Sequence, residues 1–381
     1  MAVFRESVPR DLPGKMMELN WTLVLLLVLL GAAGVGMLYS VGGGDWEPWA
    51  ARHAIRFAAG FVAMLVIAMF PPRFWMGVAY PIYVVALILL IGAELFGATV
   101  NGSQRWLDVG PIRLQPSEIM KIALVFALAR FYHDLPTERV SRLGGLLVPA
   151  ALIGIPALLI LKQPDLGTTL LLVATGGAVV FLAGLSWKVI VPGVIAGIAG
   201  GIGFFSYGLE DYQRQRIMTM FSPDSDPLGA GYQILQSKIA LGSGGFTGKG
   251  FMEGTQSQLD YLPEKQTDFI FTILGEEFGF VGGLVILTVY ALILANTVAI
   301  ATSCKSTFLR LTTMGVATTF GLYVIINVGM VMGALPVVGV PLPMISYGGT
   351  VMLAVLAGFG LILGAHIHRN AEPPRGVGLF G

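Results

Sequence analysis

Long stretches of this chain carry no Asp, Glu, Lys or Arg. Trp21 to Leu38 is apolar and unbroken inside the charge-free interval from Glu18 to Asp45. Further such intervals separate Arg56 from Arg73, Arg73 from Glu94, Arg142 from Lys162, Asp165 from Lys188 and Lys188 from Glu210. Another runs from Glu277 to Lys305, and the one from Arg310 to Arg369 is long enough for two spans. A helix crosses hydrocarbon with about 20 mostly apolar residues, because only a helix satisfies its backbone polar groups without water. Each interval therefore predicts a membrane-spanning helix. Glu118 to His133 is shorter and holds Glu118, Lys121 and Arg130, yet the alternation of sides requires it as a span too. The expectation is an all-α polytopic membrane protein, with about ten transmembrane helices in one integral membrane domain over residues 1–381.

Composition agrees: 55% of residues are hydrophobic, 12% are charged and mean hydropathy is +0.78. A formal net charge of +1 offers no basic stripe for nucleic acid, which phosphate neutralisation would demand. The single cysteine, Cys304, excludes a disulfide framework and a multi-cysteine metal site. The first apolar run is too long for the core of a cleavable signal peptide, and a second follows closely.

With ten spans the two termini share a side. That side collects Arg5, Arg10, Lys15, Arg73, Arg139, Arg142, Lys188, Lys305, Arg310, Arg369 and Arg375. The opposite side holds Arg52, Arg56, Arg105, Arg113 and Lys162 in its shorter loops. Lys and Arg concentrate in cytoplasmic loops. Segments 1–18 and 367–381 are therefore expected in the cytoplasm, and a long polar loop over 210–268 outside it. A long irregular loop in a compact domain is usually functional. Inside this one, Tyr232–Leu241 suits a short amphipathic helix lying on the membrane, with Ile234, Leu235, Ile239 and Leu241 as its apolar set. Asn101–Ser117 and Leu335–Gly349 fall on the same outer side. The second of these is too rich in Pro and Gly for a regular span, and broken backbone at membrane depth must be buried in protein or line a cavity.

Ionisable groups held at membrane boundaries are functional candidates. Asp268 stands where the outer loop meets an apolar span, with Glu264, Lys265, Gln266 and Thr267 beside it. It reads as a helix N-cap, as a partner of Lys265, or as a general base at the mouth of a cavity. In Gln115-Pro-Ser-Glu-Ile-Met-Lys121, Pro116 suits a first helical turn that Gln115 or Ser117 caps. Glu118 and Lys121 then share a helix face, as an internal ion pair or as a pair lining a substrate cavity. In Lys162-Gln-Pro-Asp165, Gln163 and Asp165 serve equally as caps and as site groups. Arg214 and Arg216 emerge on the outer side, either snorkelling or placed for bidentate phosphate contact.

The run Gly242-Ser-Gly-Gly-Phe-Thr-Gly-Lys-Gly250 fails as a nucleotide loop. Ser243 occupies its first glycine position and Gly250 follows Lys249, so a flexible loop shaping a substrate path is expected instead. His366 and His368 lie too far apart in direction on a helix end to form a metal pair, and suit a helix C-terminus.

Together the segments GTQSQLDYLPEKQTDFIF, QPSEIMKIA, KQPDLGTTL, YQILQSKIALGSGGFTGKG and NVGMVMGALPVVGVPLPMISYGGT resemble the SEDS proteins (shape, elongation, division and sporulation), most closely the elongation members. The resemblance covers nearly the whole chain. It implies a peptidoglycan glycosyltransferase that polymerises lipid II at the outer face of the cytoplasmic membrane. It implies that Asp268 is the catalytic aspartate, that Glu118, Lys121 and Asp165 are site residues, and that Arg105 and Arg113 belong to the first large outer loop. Undecaprenyl diphosphate would be the leaving group, and its charge calls for cations; Lys121, Arg105, Arg113, Arg214 and Arg216 are the candidates, with Lys265 nearby. A class B penicillin-binding transpeptidase and other elongation-complex membrane proteins are the implied partners. A divalent cation on outer carboxylates such as Asp108, Asp165 and Glu264 stays open. The competing readings are a lipid II flippase using Glu118, Lys121 and Asp165 as a polar path, and a scaffold for a partner enzyme.

Overall fold

The computed structural model describes residues 11–100, 103–109, 112–208, 214–215, 218–219, 229–259 and 261–373. Its long helices fall where the charge-free runs place them. They are α1 (Trp21–Val41), α2 (Ala50–Met69), α3 (Pro72–Phe96), α4 (Pro116–Asp134), α5 (Leu143–Lys162), α6 (Leu166–Leu182), α7 (Trp187–Tyr207), α8 (Ile270–Ser303), α9 (Thr307–Val331) and α10 (Gly349–Ile367). Seven of these are long and apolar enough to cross a membrane, namely α1, α2, α3, α5, α8, α9 and α10. The protein is an all-α polytopic membrane protein.

The charged helix α4 has a physical explanation. It is buried on every side, from Pro116 through His133, so it is the centre of the bundle rather than a lipid-facing span. A helix enclosed by protein carries ionisable groups where partners meet them. Glu118 and Lys121 pair within it, and Arg130 Nε lies 3.1 Å from Asp134 Oδ2 at its other end. Helices α3, α9, α6, α5 and α10 surround it.

The outer segment after α3 is not simply a loop. Strands β1 (Ala98–Val100), β2 (Ser103–Val109) and β3 (Ile112–Leu114) form a small antiparallel sheet in the order β1-β2-β3, a structure the sequence reading does not foresee.

Helix α8 is broken. Gly279 has φ 64° and ψ −161°, outside helical space. The Gly-rich run repairs the break. Lys249 N and Gly250 N donate to the Glu276 and Glu277 carbonyls, both at 3.0 Å. Phe280 N and Val281 N donate to Gly245 O and Phe246 O, at 3.0 and 3.1 Å. The α8 groups in these bonds would otherwise pair along the helix. The approach needs glycine: a Cβ at Gly248 would lie 2.1 Å from Glu277 O, and one at Gly244 would lie 2.1 Å from Gly275 O. The run is therefore a backbone splint against α8, not the flexible loop expected from its composition.

The short helix Ala230–Ser243 precedes this run. It docks on the bundle. Ser237 is buried and its hydroxyl bonds to Thr272 Oγ1 and Val331 O, both at 2.8 Å. Of the expected apolar set, Ile234 is buried against the protein while Leu235 and Ile239 face outward.

The Pro/Gly-rich segment 332–348 is folded into the protein end of the bundle. Val337, Val340, Leu342, Met344 and Ile345 are buried. Tyr290 OH donates to Pro343 O at 2.5 Å, His53 Nε2 sits 3.1 Å from Met344 O, and the Arg56 guanidinium lies over the Tyr347 ring. Its irregular backbone is thus satisfied inside protein.

Candidate active site

Four segments meet at the end of the bundle that carries 332–348. Tyr347 N donates to Gln266 O at 2.8 Å, which joins the segment to the turn before α8. The start of α6 touches it from another side: a Cβ at Gly167 would lie 2.6 Å from Val338 O. The Asp268 carboxylate borders it as well, because a Cβ at Gly339 would lie 3.4 Å from Asp268 Oδ2. Gly339 has φ +70°, so glycine suits both the turn and the space.

Asp268 is half-buried. It is not the cap of α8: Phe269 occupies that position, with no side-chain capping bond. The turn that presents Asp268 is closed by Glu264, whose carbonyl accepts from Thr267 N and Phe269 N, each at 3.2 Å, and whose Oε2 accepts from Thr267 Oγ1 at 2.8 Å. Lys265 in the same turn is buried. Asn327 of α9 donates through Nδ2 to Asp268 O at 2.8 Å and to Val340 O at 2.7 Å.

One turn earlier on α9, Tyr323 completes a buried cluster. Lys121 Nζ donates to Glu118 Oε1 at 2.7 Å and also to the Tyr323 hydroxyl. That hydroxyl donates to Glu118 Oε2 at 2.5 Å. All three residues are at most 4% exposed. A small cavity of about 30 Å³ opens beside them, walled by Thr319, Phe320, Val355 and Phe359. Gln115 and Ser117 are buried at the start of α4; Gln115 holds the N-cap position without a side-chain capping bond, and Ser117 Oγ has no hydrogen-bond partner among the described residues.

Asp165 caps a helix and holds an arginine at once. Its Oδ1 accepts from Thr168 N at 3.0 Å, capping α6, while Oδ2 accepts from Arg105 NH1 at 2.8 Å. Arg105 reaches it from β2 with Nε buried and without a hydrogen-bond partner among the described residues. Gln163 Nε2 donates to Leu90 O at 3.0 Å, which ties the ends of α3 and α5.

The remaining cations divide. Arg113 sits on β3 opposite Asp108, 3.2 Å away, with both side chains largely exposed. Arg214 donates to the carbonyls of Phe205 and Ser206 at the end of α7, so it serves that helix end. Arg216 lies outside the described residues. The candidate metal carboxylates are dispersed: Asp108 faces Arg113, Asp165 faces Arg105 and Glu264 faces Thr267. Among the described residues no three His, Cys, Asp or Glu side chains gather as a metal site.

Tyr323 and Asn327 escape the sequence reading. The available signal is a polar pair one turn apart in a span that is otherwise apolar. Glu276 and Glu277 are both buried and partnered. Glu276 is fully buried and accepts from Lys249 Nζ at 2.6 Å, Thr255 Oγ1 at 2.9 Å and Gln256 N, while Ser40 Oγ donates to Glu277.

A polytopic helical membrane protein with carboxylates and cations converging at one end of its bundle is the class that fold and site define. Comparison with known proteins gives the family. The model of the FtsW, RodA and SpoVE family, described as cell cycle protein, matches residues 17–371. The chain belongs to that family. It is 45% identical over 354 residues to the peptidoglycan glycosyltransferase MrdB of Escherichia coli (strain K12), covering 93% of this chain and 95% of that one. Among solved structures, one reported as structural coordination of polymerization and crosslinking by a peptidoglycan synthase complex matches with a TM-score of 0.80 at 33% identity. That match covers 93% of this chain and 99% of that one. The rod shape determining protein RodA of Thermus thermophilus matches with a TM-score of 0.71 at 29% identity, covering 93% of this chain and 98% of that one.

Proposed function

We propose that this protein is a peptidoglycan glycosyltransferase that joins lipid II units into glycan strands during cell elongation. The observation that carries the reading is the convergence of Asp268, the Arg105–Asp165 pair and the Glu118–Lys121 pair around segment 332–348 and α9. Its relatives' names point to the same chemistry.

The acceptor sugar hydroxyl is a weak nucleophile. Asp268 takes its proton as the oxygen bonds to the anomeric carbon of the donor sugar. The bond from that carbon to the lipid diphosphate breaks, and the diphosphate leaves with the electron pair. A single displacement inverts the anomeric centre, from α-linked diphosphate to β-glycoside. Charge developing on the leaving group calls for donors already in place. Arg105 is the best placed of the expected cations, because its Nε is buried without a hydrogen-bond partner among the described residues and its NH1 is fixed by Asp165. Arg113, on the neighbouring strand, is exposed for an incoming headgroup. Lys121 is committed to Glu118 and Tyr323, which suits holding the pocket wall more than meeting phosphate.

The site end of the bundle faces the periplasm in this reading, with both termini in the cytoplasm. A class B penicillin-binding transpeptidase is the expected partner, which crosslinks the strands. A flippase has no use for a base at the outer mouth. Purified protein given lipid II in detergent micelles distinguishes the two: polymerisation supports the transferase, whereas lipid II movement in vesicles without polymer would support the transporter.

A further inference from the structure

Asn327 is fully buried in α9, and the chemistry above gives it no role. A carboxamide has two N–H donors. Here both are spent on main-chain carbonyls, Asp268 O at 2.8 Å and Val340 O at 2.7 Å. Its Oδ1 has no hydrogen-bond partner among the described residues. The opposite amide orientation would set that oxygen against two carbonyls, so the network itself fixes which atom is nitrogen. Leaving a buried acceptor unmet is costly, and the arrangement accepts that cost to keep both carbonyls held.

Those carbonyls belong to the two segments flanking the Asp268 carboxylate. One is the carbonyl of Asp268 itself. The other is that of Val340, next to Gly339, which lies against Asp268 Oδ2. One turn away on the same helix, Tyr323 closes the Glu118–Lys121 pair. A single rigid span therefore mounts the turn bearing the aspartate and the buried ion pair.

We infer that Asn327 is a positioning residue, which clamps the Asp268 main chain to segment 332–348 and so aims the carboxylate without touching substrate. This rests on the reading of Asp268 as the base. A misplacement of about 1 Å in a catalytic group costs roughly 10²-fold in rate.

The test uses the full-length purified protein and lipid II, with kcat, KM and lipid II binding measured for each variant. Asn327→Asp keeps the shape and replaces the two donors with acceptors; Asn327→Leu removes the amide; Asn327→Gln keeps the donors on a longer stem. The expected result is a kcat lower by roughly 10²-fold in Asn327→Asp and Asn327→Leu, with KM and binding unchanged and partial recovery in Asn327→Gln. Combining Asn327→Asp with Asp268→Asn adds no further loss to that of Asp268→Asn, because the clamp acts only through the base. Wild-type kcat in Asn327→Asp or Asn327→Leu overturns the inference. So does a raised KM at unchanged kcat, or a further loss in the double variant. Wild-type turnover in Asp268→Asn sinks the base assignment instead, and this inference with it.

Discussion

The Lys121 ammonium, the Glu118 carboxylate and the Tyr323 hydroxyl satisfy one another in a space that excludes solvent. Breaking a buried pair from one side strands the other charge, at a cost of about 3–5 kcal/mol. Lys121→Met is accordingly expected to lower stability by about 3–5 kcal/mol, measured by unfolding in micelles. Adding Glu118→Gln to Lys121→Met removes the stranded charge and is expected to recover part of the loss. A double variant less stable than the single one would contradict this account of the cluster. At this scale the sequence is legible where a residue is charged. Glu118, Lys121, Asp165 and Asp268 stand out because ionised groups are expensive near hydrocarbon. Tyr323 and Asn327 do not, because a neutral polar side chain in a span carries no charge penalty to mark it. Arg214 stands out for the same reason as the others, and two of its donors reach the Phe205 and Ser206 carbonyls at the end of α7.

Helix α8 shows what pattern reading misses in an element. From Phe278 onward its apolar run is continuous, so the break at Gly279 leaves no mark in the hydropathy. The break makes sense only with the Gly-rich run laid against it, and that pairing is a long-range fact. Gly248 combines φ +84° with no room for a Cβ beside Glu277 O. Gly248→Ala is expected to lift the splint and expose the Glu276 and Glu277 carbonyls, at about 1–3 kcal/mol for each group left unmet. Amide hydrogen exchange at Lys249, Gly250, Phe280 and Val281 reads this directly: faster exchange in Gly248→Ala is the expected outcome, and unchanged protection contradicts the splint. The same splint keeps Glu276 paired with Lys249. The strands β1 to β3 are too short for alternation to announce them, and their register depends on one another. Helix α4, by contrast, is legible only through topology: its charges argue against a span, and the need to return the chain to the cytoplasmic side overrides them. Burial by its neighbours supplies the reason.

For the whole molecule, the succession of charge-free runs specifies an all-α bundle with little ambiguity, since a membrane leaves the backbone few alternatives. The gathering of 98–114, 162–168, 261–269 and 332–348 at one end follows from the odd and even alternation of spans. Which end faces the periplasm is testable with introduced cysteines, because Cys304 is buried. Exposed Thr247, as Thr247→Cys, is expected to react with a membrane-impermeant maleimide in intact cells. Glu372, near the other end, is expected to react as Glu372→Cys only after permeabilisation; the reverse pattern would invert the topology. The central claim is that this bundle polymerises lipid II with Asp268 as the base. The most direct measurement compares purified wild-type protein with Asp268→Asn on lipid II, scoring both glycan polymerisation and lipid II binding. The account predicts a rate lower by about 10²–10⁴-fold, the range of general-base contributions, with binding retained. Polymerisation by Asp268→Asn at the wild-type rate would contradict it.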